Sequence, residues 1–147
     1  MSGLVKVSDA ASLGLHAAVL LATRMGSFVP AVRLAEDLGV SHAHLSKVLQ
    51  WLTRAEVVRS IRGPRGGFTL ARDPSAITLA QVFEAIEGPL RRGQCLLGRP
   101  ACDGRKCIFG GLLASVEAQV GHYLSSTTLA QLADMRFPPD PGAPAPR

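Results

Sequence analysis

Between Pro30 and Arg72 the hydrophobic period of the chain changes from that of helices to that of strands, and this change restricts the fold more than any other feature. Leu45, Val48, Leu49 and Leu52 recur at i, i+3, i+4 and i+7, the buried face of a helix that Ser41 can cap. Upstream, Pro30 suits the first turn of another helix, Val32, Leu34, Ala35 and Leu38 supply its apolar stripe, and Gly39 ends it. Two helices joined by a tight glycine-containing turn form a helix-turn-helix, in which the second helix enters the DNA major groove by its N-terminal end. The segments VVRSI, residues 57–61, and FTLAR, residues 68–72, then read as two strands around the turn GPRGG. The expected fold is therefore mostly α with a small β-hairpin wing, a winged helix-turn-helix.

The flanking segments fit around that unit. Residues 8–25 begin with a Ser/Asp cap and are apolar on nearly every side, as expected of a mostly buried helix. Thr78 can cap a helix over Leu79–Glu87 that Gly88 and Pro89 stop. From Ile108 to Leu124, the residues Phe109, Leu112, Leu113, Val116, Val120, Tyr123 and Leu124 form a one-sided stripe, which predicts a long helix with a twin in a two-fold dimer. Thr127 or Thr128 can cap a last short helix. The organisation expected is a DNA-binding domain over 1–90, a cysteine-rich loop over 91–107, a dimerisation helix and short terminal helix over 108–136, and a disordered proline-rich tail over 137–147.

Charge locates the partner. Residues 1–72 hold nine Lys/Arg against four Asp/Glu, and residues 73–147 hold seven against seven, so the whole net charge of +5 lies in the half that carries the helix-turn-helix. Such a bias suits a polyanion, because each phosphate neutralised releases condensed counterions. Ser41, Ala43, His44, Ser46 and Lys47 open the recognition helix and are placed to meet base edges. Arg62 and Arg65 stand among three glycines at the wing tip, narrow enough for a minor groove, with Arg54 and Arg59 positioned for flanking phosphates. No paired carboxylates, nucleophile–base set or phosphate loop with a P-loop lysine appears, so the chain is not expected to be an enzyme. Its longest apolar run, Leu13 to Ala22, is ten residues and short of the ~20 that cross a bilayer, which predicts a cytoplasmic protein with no membrane partner.

All three cysteines, Cys95, Cys102 and Cys107, fall within thirteen residues, spaced C-x6-C-x4-C in a glycine- and proline-broken loop. An odd number of thiols without a secretion signal favours ligands over disulfides. The spacing is wider than a zinc knuckle's and suits an iron–sulfur cluster, with zinc and free redox-active thiols as alternatives. Three thiolates leave a fourth position open. The residue three after Cys107 is Gly110, and His122 lies fifteen residues on, inside the long helix. On the first helix, Asp9, Ser12 and His16 share one face at i, i+3 and i+7, and His16 is the candidate fourth ligand with Asp9 and Ser12 as alternatives. A core histidine and an N-terminal capping aspartate are the ordinary roles of the same residues.

The segments VSDAASLGLHAAVLLA and LAEDLGVSHAHLSKVLQWLTRAEVVRSIRGPRGGFTLARDPSAITLAQVFEAIEG, with the three-cysteine loop before a long helix, resemble the Rrf-type winged-helix regulators, the family of IscR, NsrR and RirA. The resemblance runs from about residue 5 to 135. It implies a homodimeric transcription regulator, usually a repressor, that binds a palindromic double-stranded operator. It also implies a [2Fe-2S] or [4Fe-4S] cluster on Cys95, Cys102 and Cys107, base reading from Ser41 onward and a wing contact by Arg62. Where IscR-like members place a histidine three residues after the last cysteine, this chain has Gly110; other members recruit a carboxylate or histidine from the first helix, where His16 matches. The expected function is a regulator whose operator affinity a cluster sets in response to iron, redox state or nitric oxide. A cluster-free regulator of the same family, working through thiol oxidation, zinc or a protein partner, is one alternative, and a small iron–sulfur or zinc redox protein another.

Overall fold

The computed structural model describes residues 7–90 and 107–137. Helix α1, Asp9–Ala22, starts where the Ser8 hydroxyl accepts from the Ala11 amide at 3.0 Å, satisfying one of the free donors of the first turn. Nine of its fourteen residues are buried, so it forms the floor of the domain. It stops short of Met25: the Thr23 hydroxyl donates back to the Leu20 carbonyl at 2.7 Å, and Gly26 turns the chain at φ 86°. Gly14 is buried beside Val48 and Ile86, and a side chain there would overlap Ile86.

Helices α2, Ala31–Leu38, and α3, His42–Arg54, make the helix-turn-helix. Gly39 takes the left-handed conformation at φ 64°, and the Val40 amide donates to the Ala35 carbonyl at 3.0 Å, closing α2 before Ser41 opens α3. Leu45, Val48, Leu49 and Leu52 are all fully buried, as their spacing predicts.

Strands β1, Val58–Ile61, and β2, Gly67–Leu70, pair antiparallel with Val58 opposite Leu70 and Ile61 opposite Gly67. Val57 lies just outside β1 because its amide still donates to the Leu52 carbonyl of α3, at 3.0 Å. A feature the sequence pattern does not announce is a third partner: Val29 and Phe68 exchange both backbone hydrogen bonds, at 2.9 and 2.8 Å, which ties the wing to the α1–α2 connection. Gly67 makes this approach possible, since a Cβ there would run into the backbone of Val29 and Pro30.

Helix α4, Leu79–Glu87, and helix α5, Leu112–Ser126, are followed by a 3₁₀ turn at Leu129–Leu132. Thr78 with Gln81 and Thr128 with Gln131 form capping boxes. The two boxes face each other: Leu79 donates to the Thr127 carbonyl and Leu129 to the Ile77 carbonyl, both at 2.9 Å, so the segment after α5 is stitched to the start of α4. The predicted last helix is this short 3₁₀ turn, and α5 starts at Leu112 rather than Ile108 because Gly110, at φ 55°, and Gly111 hold the preceding residues in a turn. The predicted tail beyond residue 137 and most of the cysteine loop lie outside the described residues.

The core is aliphatic. Leu21, Leu34, Leu45, Leu49, Leu52, Ile77 and Leu129 are its largest fully buried side chains, and with Val82 of α4 they join helices α1 to α4 with the 3₁₀ turn. Among the described residues no helix is long and apolar enough to cross a membrane.

Candidate nucleic-acid interface and sensing face

Ser41 caps α3 by accepting from the His44 amide at 3.5 Å, which leaves the opening turn pointing out of the domain. Ser41, Ala43, His44 and Lys47 are exposed and Ser46 is half-buried, so the predicted base-reading positions share the outer surface of one helix start. His42, which sequence reasoning passed over, belongs with them: it is exposed, and its Nε2 lies 3.5 Å from the Ser46 hydroxyl one turn on. Its place immediately after the cap is the signal that identifies it. Lys47 Nζ sits 5.6 Å from the centre of the Trp51 ring, a pairing legible in the i, i+4 spacing.

Arg54 ends α3, Arg59 lies on β1, and Arg62 and Arg65 flank the wing turn, where the Gly66 amide donates to the Gly63 carbonyl at 2.9 Å. All four are exposed. Their surroundings differ from those of Arg24 and Arg33. Arg24 meets Asp37 at 2.7 Å and Arg33 meets Glu36 and Asp37 at 3.5 Å, whereas Lys47, Arg54, Arg59, Arg62 and Arg65 make no ion pair among the described residues. Five cations without an ion pair among the described residues thus lie on the recognition helix and wing, where their charge is available to an external anion, and Arg72 and Arg136 are the other two arginines without one. Arg59 is held instead by an aromatic face, its guanidinium carbon 5.5 Å from the centre of the Phe28 ring.

The second candidate site lies on α1. Asp9, Ser12 and His16 line one cleft of about 500 Å³ with Leu13, with Asp37, Leu38 and Val40 from α2 and its following turn, and with Met135, Arg136 and Phe137 from the C-terminal segment. His16 Nδ1 lies 2.6 Å from the Ser12 carbonyl oxygen. A carbonyl can only accept, so Nδ1 carries a hydrogen in this contact and Nε2 is the nitrogen left to ligate, the orientation found in metal-ligating histidines. The Phe137 ring packs edge-on against the imidazole at 6.2 Å. The carboxylate, hydroxyl and imidazole picked from sequence spacing therefore line the same cleft, and the described residues alone bring no three His, Cys, Asp or Glu side chains close enough to hold a metal ion. Cys107 is an exposed free thiol, while Cys95 and Cys102 lie outside the described residues. Three thiolates with an imidazole or carboxylate form a donor set suited to an iron–sulfur cluster, and the His16 tautomer agrees with it.

Comparison with known proteins bears on the family and the fold. The HTH-type transcriptional regulator IscR of Sodalis glossinidius (strain morsitans) is 30% identical over 105 residues, which cover 71% of this chain and 63% of the relative. That of Yersinia pestis is 30% identical over 107 residues, covering 72% and 65%. The chain thus matches less than two thirds of the length of these relatives. Among solved structures, CymR (YrzC), the global cysteine regulator of B. subtilis, superposes with a TM-score of 0.77 at 27% identity, over 88% of this chain and 97% of CymR. T. potens IscR superposes with a TM-score of 0.70 at 27% identity, over 90% and 93%. The winged-helix architecture is shared with both. A match to Rrf2, described as iron-dependent transcriptional regulator, extends over residues 7–135, and the chain belongs to this family.

Proposed function

We propose that this chain is a homodimeric, DNA-binding transcriptional regulator, acting as a repressor at a palindromic operator, whose operator affinity is set by an iron–sulfur cluster. The observation that supports the cluster reading is the cleft that Asp9, Ser12 and His16 line together, with His16 Nδ1 engaged by the Ser12 carbonyl so that Nε2 is the nitrogen left to ligate. Cys95, Cys102 and Cys107 would hold the group together with His16, and Asp9 or Ser12 would replace His16 if the imidazole stays with Phe137. When bound, such a group supplies a link that iron supply, oxidation or nitric oxide can break. The chain's own residues do the rest: Ser41, Ala43, His44, Ser46 and Lys47 read bases, Arg62 and Arg65 enter the minor groove, and Arg54 and Arg59 hold phosphates.

Dimerisation is supported by α5. Leu124 and Gly121 are buried toward the domain, but Phe109, Leu112, Val120 and Tyr123 remain exposed at 38%, 52%, 37% and 55%. Leu112, Val120 and Tyr123 fall at i, i+8 and i+11 on one side of α5, Phe109 lies in the turn just before it, and a second copy of α5 would cover this seam.

Purification under anaerobic conditions tests the cluster. A coloured protein with visible charge-transfer absorption, iron and acid-labile sulfide is expected, and a colourless one with stoichiometric zinc would overturn the reading. A second reading, a cluster-free regulator that responds through thiol oxidation, is favoured by the superposition on the cysteine regulator CymR and by the exposed Cys107 thiol. It predicts a colourless, metal-free protein whose DNA affinity changes on adding a thiol oxidant.

A further inference from the structure

We propose that Phe28 is a positioning residue for DNA binding: its ring braces the Arg59 guanidinium, holding that charge ready for a phosphate beside the wing. The inference rests on the reading of α3 and the wing as the DNA-contacting surface, and adds to it a residue from the α1–α2 connection.

Register brings the pair together. Val29 pairs with Phe68, so Phe28 comes opposite Thr69 at the next antiparallel position, and Thr69 is itself opposite Arg59 across β1 and β2. Cross-strand partners share a face of a sheet, and alternation along each strand keeps Phe28, Thr69 and Arg59 on the face turned away from Val58 and Leu70, which are buried. Thr69 between them is only 5% exposed, on a face where its strand partner Arg59 is open to solvent. The guanidinium rests 5.5 Å from the Phe28 ring centre, within cation–π range.

Two features separate this contact from ordinary packing. Among the described residues Arg59 has no carboxylate partner, so the ring orders the side chain without neutralising it. The brace is also anchored in backbone, because the Val29–Phe68 hydrogen bonds and the side-chain-free approach at Gly67 fix the segment before Pro30 against β2. An arginine on an unbraced strand loses rotamer freedom when it meets a phosphate; here part of that loss is already incurred in the free protein.

The test is a double-mutant cycle on the full chain, read by fluorescence anisotropy with a mixed-sequence DNA duplex over a series of salt concentrations. Phe28→Leu is expected to weaken binding about two- to fivefold, the range of a cation–π contact at an exposed site, with the salt slope unchanged because the phosphate contact is still made. Arg59→Ala should reduce the slope of log K against log salt by about 0.9, the value for one phosphate. Adding Phe28→Leu to Arg59→Ala should cost nothing more, and Phe28→Tyr should bind as wild type. An equal loss from Phe28→Leu in both backgrounds, or an Arg59→Ala protein with wild-type slope, would overturn the brace while leaving DNA binding intact. Should Phe28→Leu not fold, Phe28→Met completes the same cycle. A wild-type chain that binds no duplex at any salt would overturn the DNA-binding reading itself.

Discussion

Arg62 and Arg65 stand exposed on the wing turn, which Gly63 enters at φ 113°, and neither is tied to a carboxylate among the described residues. Two free guanidiniums on a narrow tip serve a minor groove better than they serve stability. Replacing both with Ala is expected to leave the unfolding midpoint nearly unchanged but to weaken operator binding, lowering the salt slope by about 0.9 for each phosphate that is no longer neutralised. An unchanged slope in a salt titration would count against the wing. Asp73 is the opposite kind of residue, local and structural. The Ser75 hydroxyl and amide donate to its Oδ1 at 2.6 and 2.8 Å, and these two bonds, the hydroxyl's foremost, hold its carboxyl below the usual value of 3.8. A depressed carboxyl stabilises the folded chain above the unfolded pKa, and that contribution is lost as pH falls through the folded one. Asp73→Ala should therefore be less stable than wild type at neutral pH, with the gap closing below about pH 3.8 in urea titrations run across pH.

Helix α5 has two apolar faces, and only the structure separates them. Its stripe from Phe109 to Leu124 reads in sequence as one continuous seam, because a period of 3.6 does not say which neighbour covers which residue. In the fold Leu124 turns into the core and Leu113 is half-buried, whereas Phe109, Leu112, Val120 and Tyr123 stay exposed. Val120→Glu with Tyr123→Glu places two carboxylates on the outer seam and spares the inner one. The double variant should remain folded by far-UV circular dichroism but sediment as a monomer, and should lose affinity for a paired site more than for a single half-site. A dimer surviving at wild-type strength would place the two-fold contact elsewhere.

The helices and wing were legible for a physical reason. Leu45, Val48, Leu49 and Leu52 lie within one helix, so their burial follows from spacing alone, and Ser41 and Thr78 announce their helices by local capping chemistry. Val29 pairing with Phe68, and Phe28 meeting Arg59, join segments far apart in the chain, and no period records them. The Asp9, Ser12 and His16 face was legible as a helical row, but its closure by Met135, Arg136 and Phe137 was not, since those residues arrive from the other end of the chain.

At the scale of the whole molecule, α1 stands between the two candidate sites. One face carries Asp9, Ser12 and His16 to the cleft, and another carries Gly14, where an added Cβ would come within 3.3 Å of Val48 on the recognition helix. Close packing transmits displacement, because a core without voids cannot absorb a shift of one helix without moving the next. A ligand taken from α1 would thus reach α3 through this contact. A complete switch between bound and free operator requires about 10⁴-fold difference in affinity, roughly 5.5 kcal/mol, and partial repression requires less. His16→Ala separates the linkage from the cluster itself. With three cysteines intact and a water or neighbouring side chain as substitute ligand, the variant should still take up iron and sulfide, but with an altered visible spectrum and with the affinity ratio between cluster-bound and cluster-free protein reduced toward one. Measuring that ratio anaerobically beside Asp9→Ala and Ser12→Ala identifies the ligand, because only the residue that ties α1 to the cysteine loop should change spectrum and ratio together. A spectrum that shifts without the ratio would mean that His16 binds the group while the operator signal travels by another element, and the packing of α1 on Val48 would then be structural only.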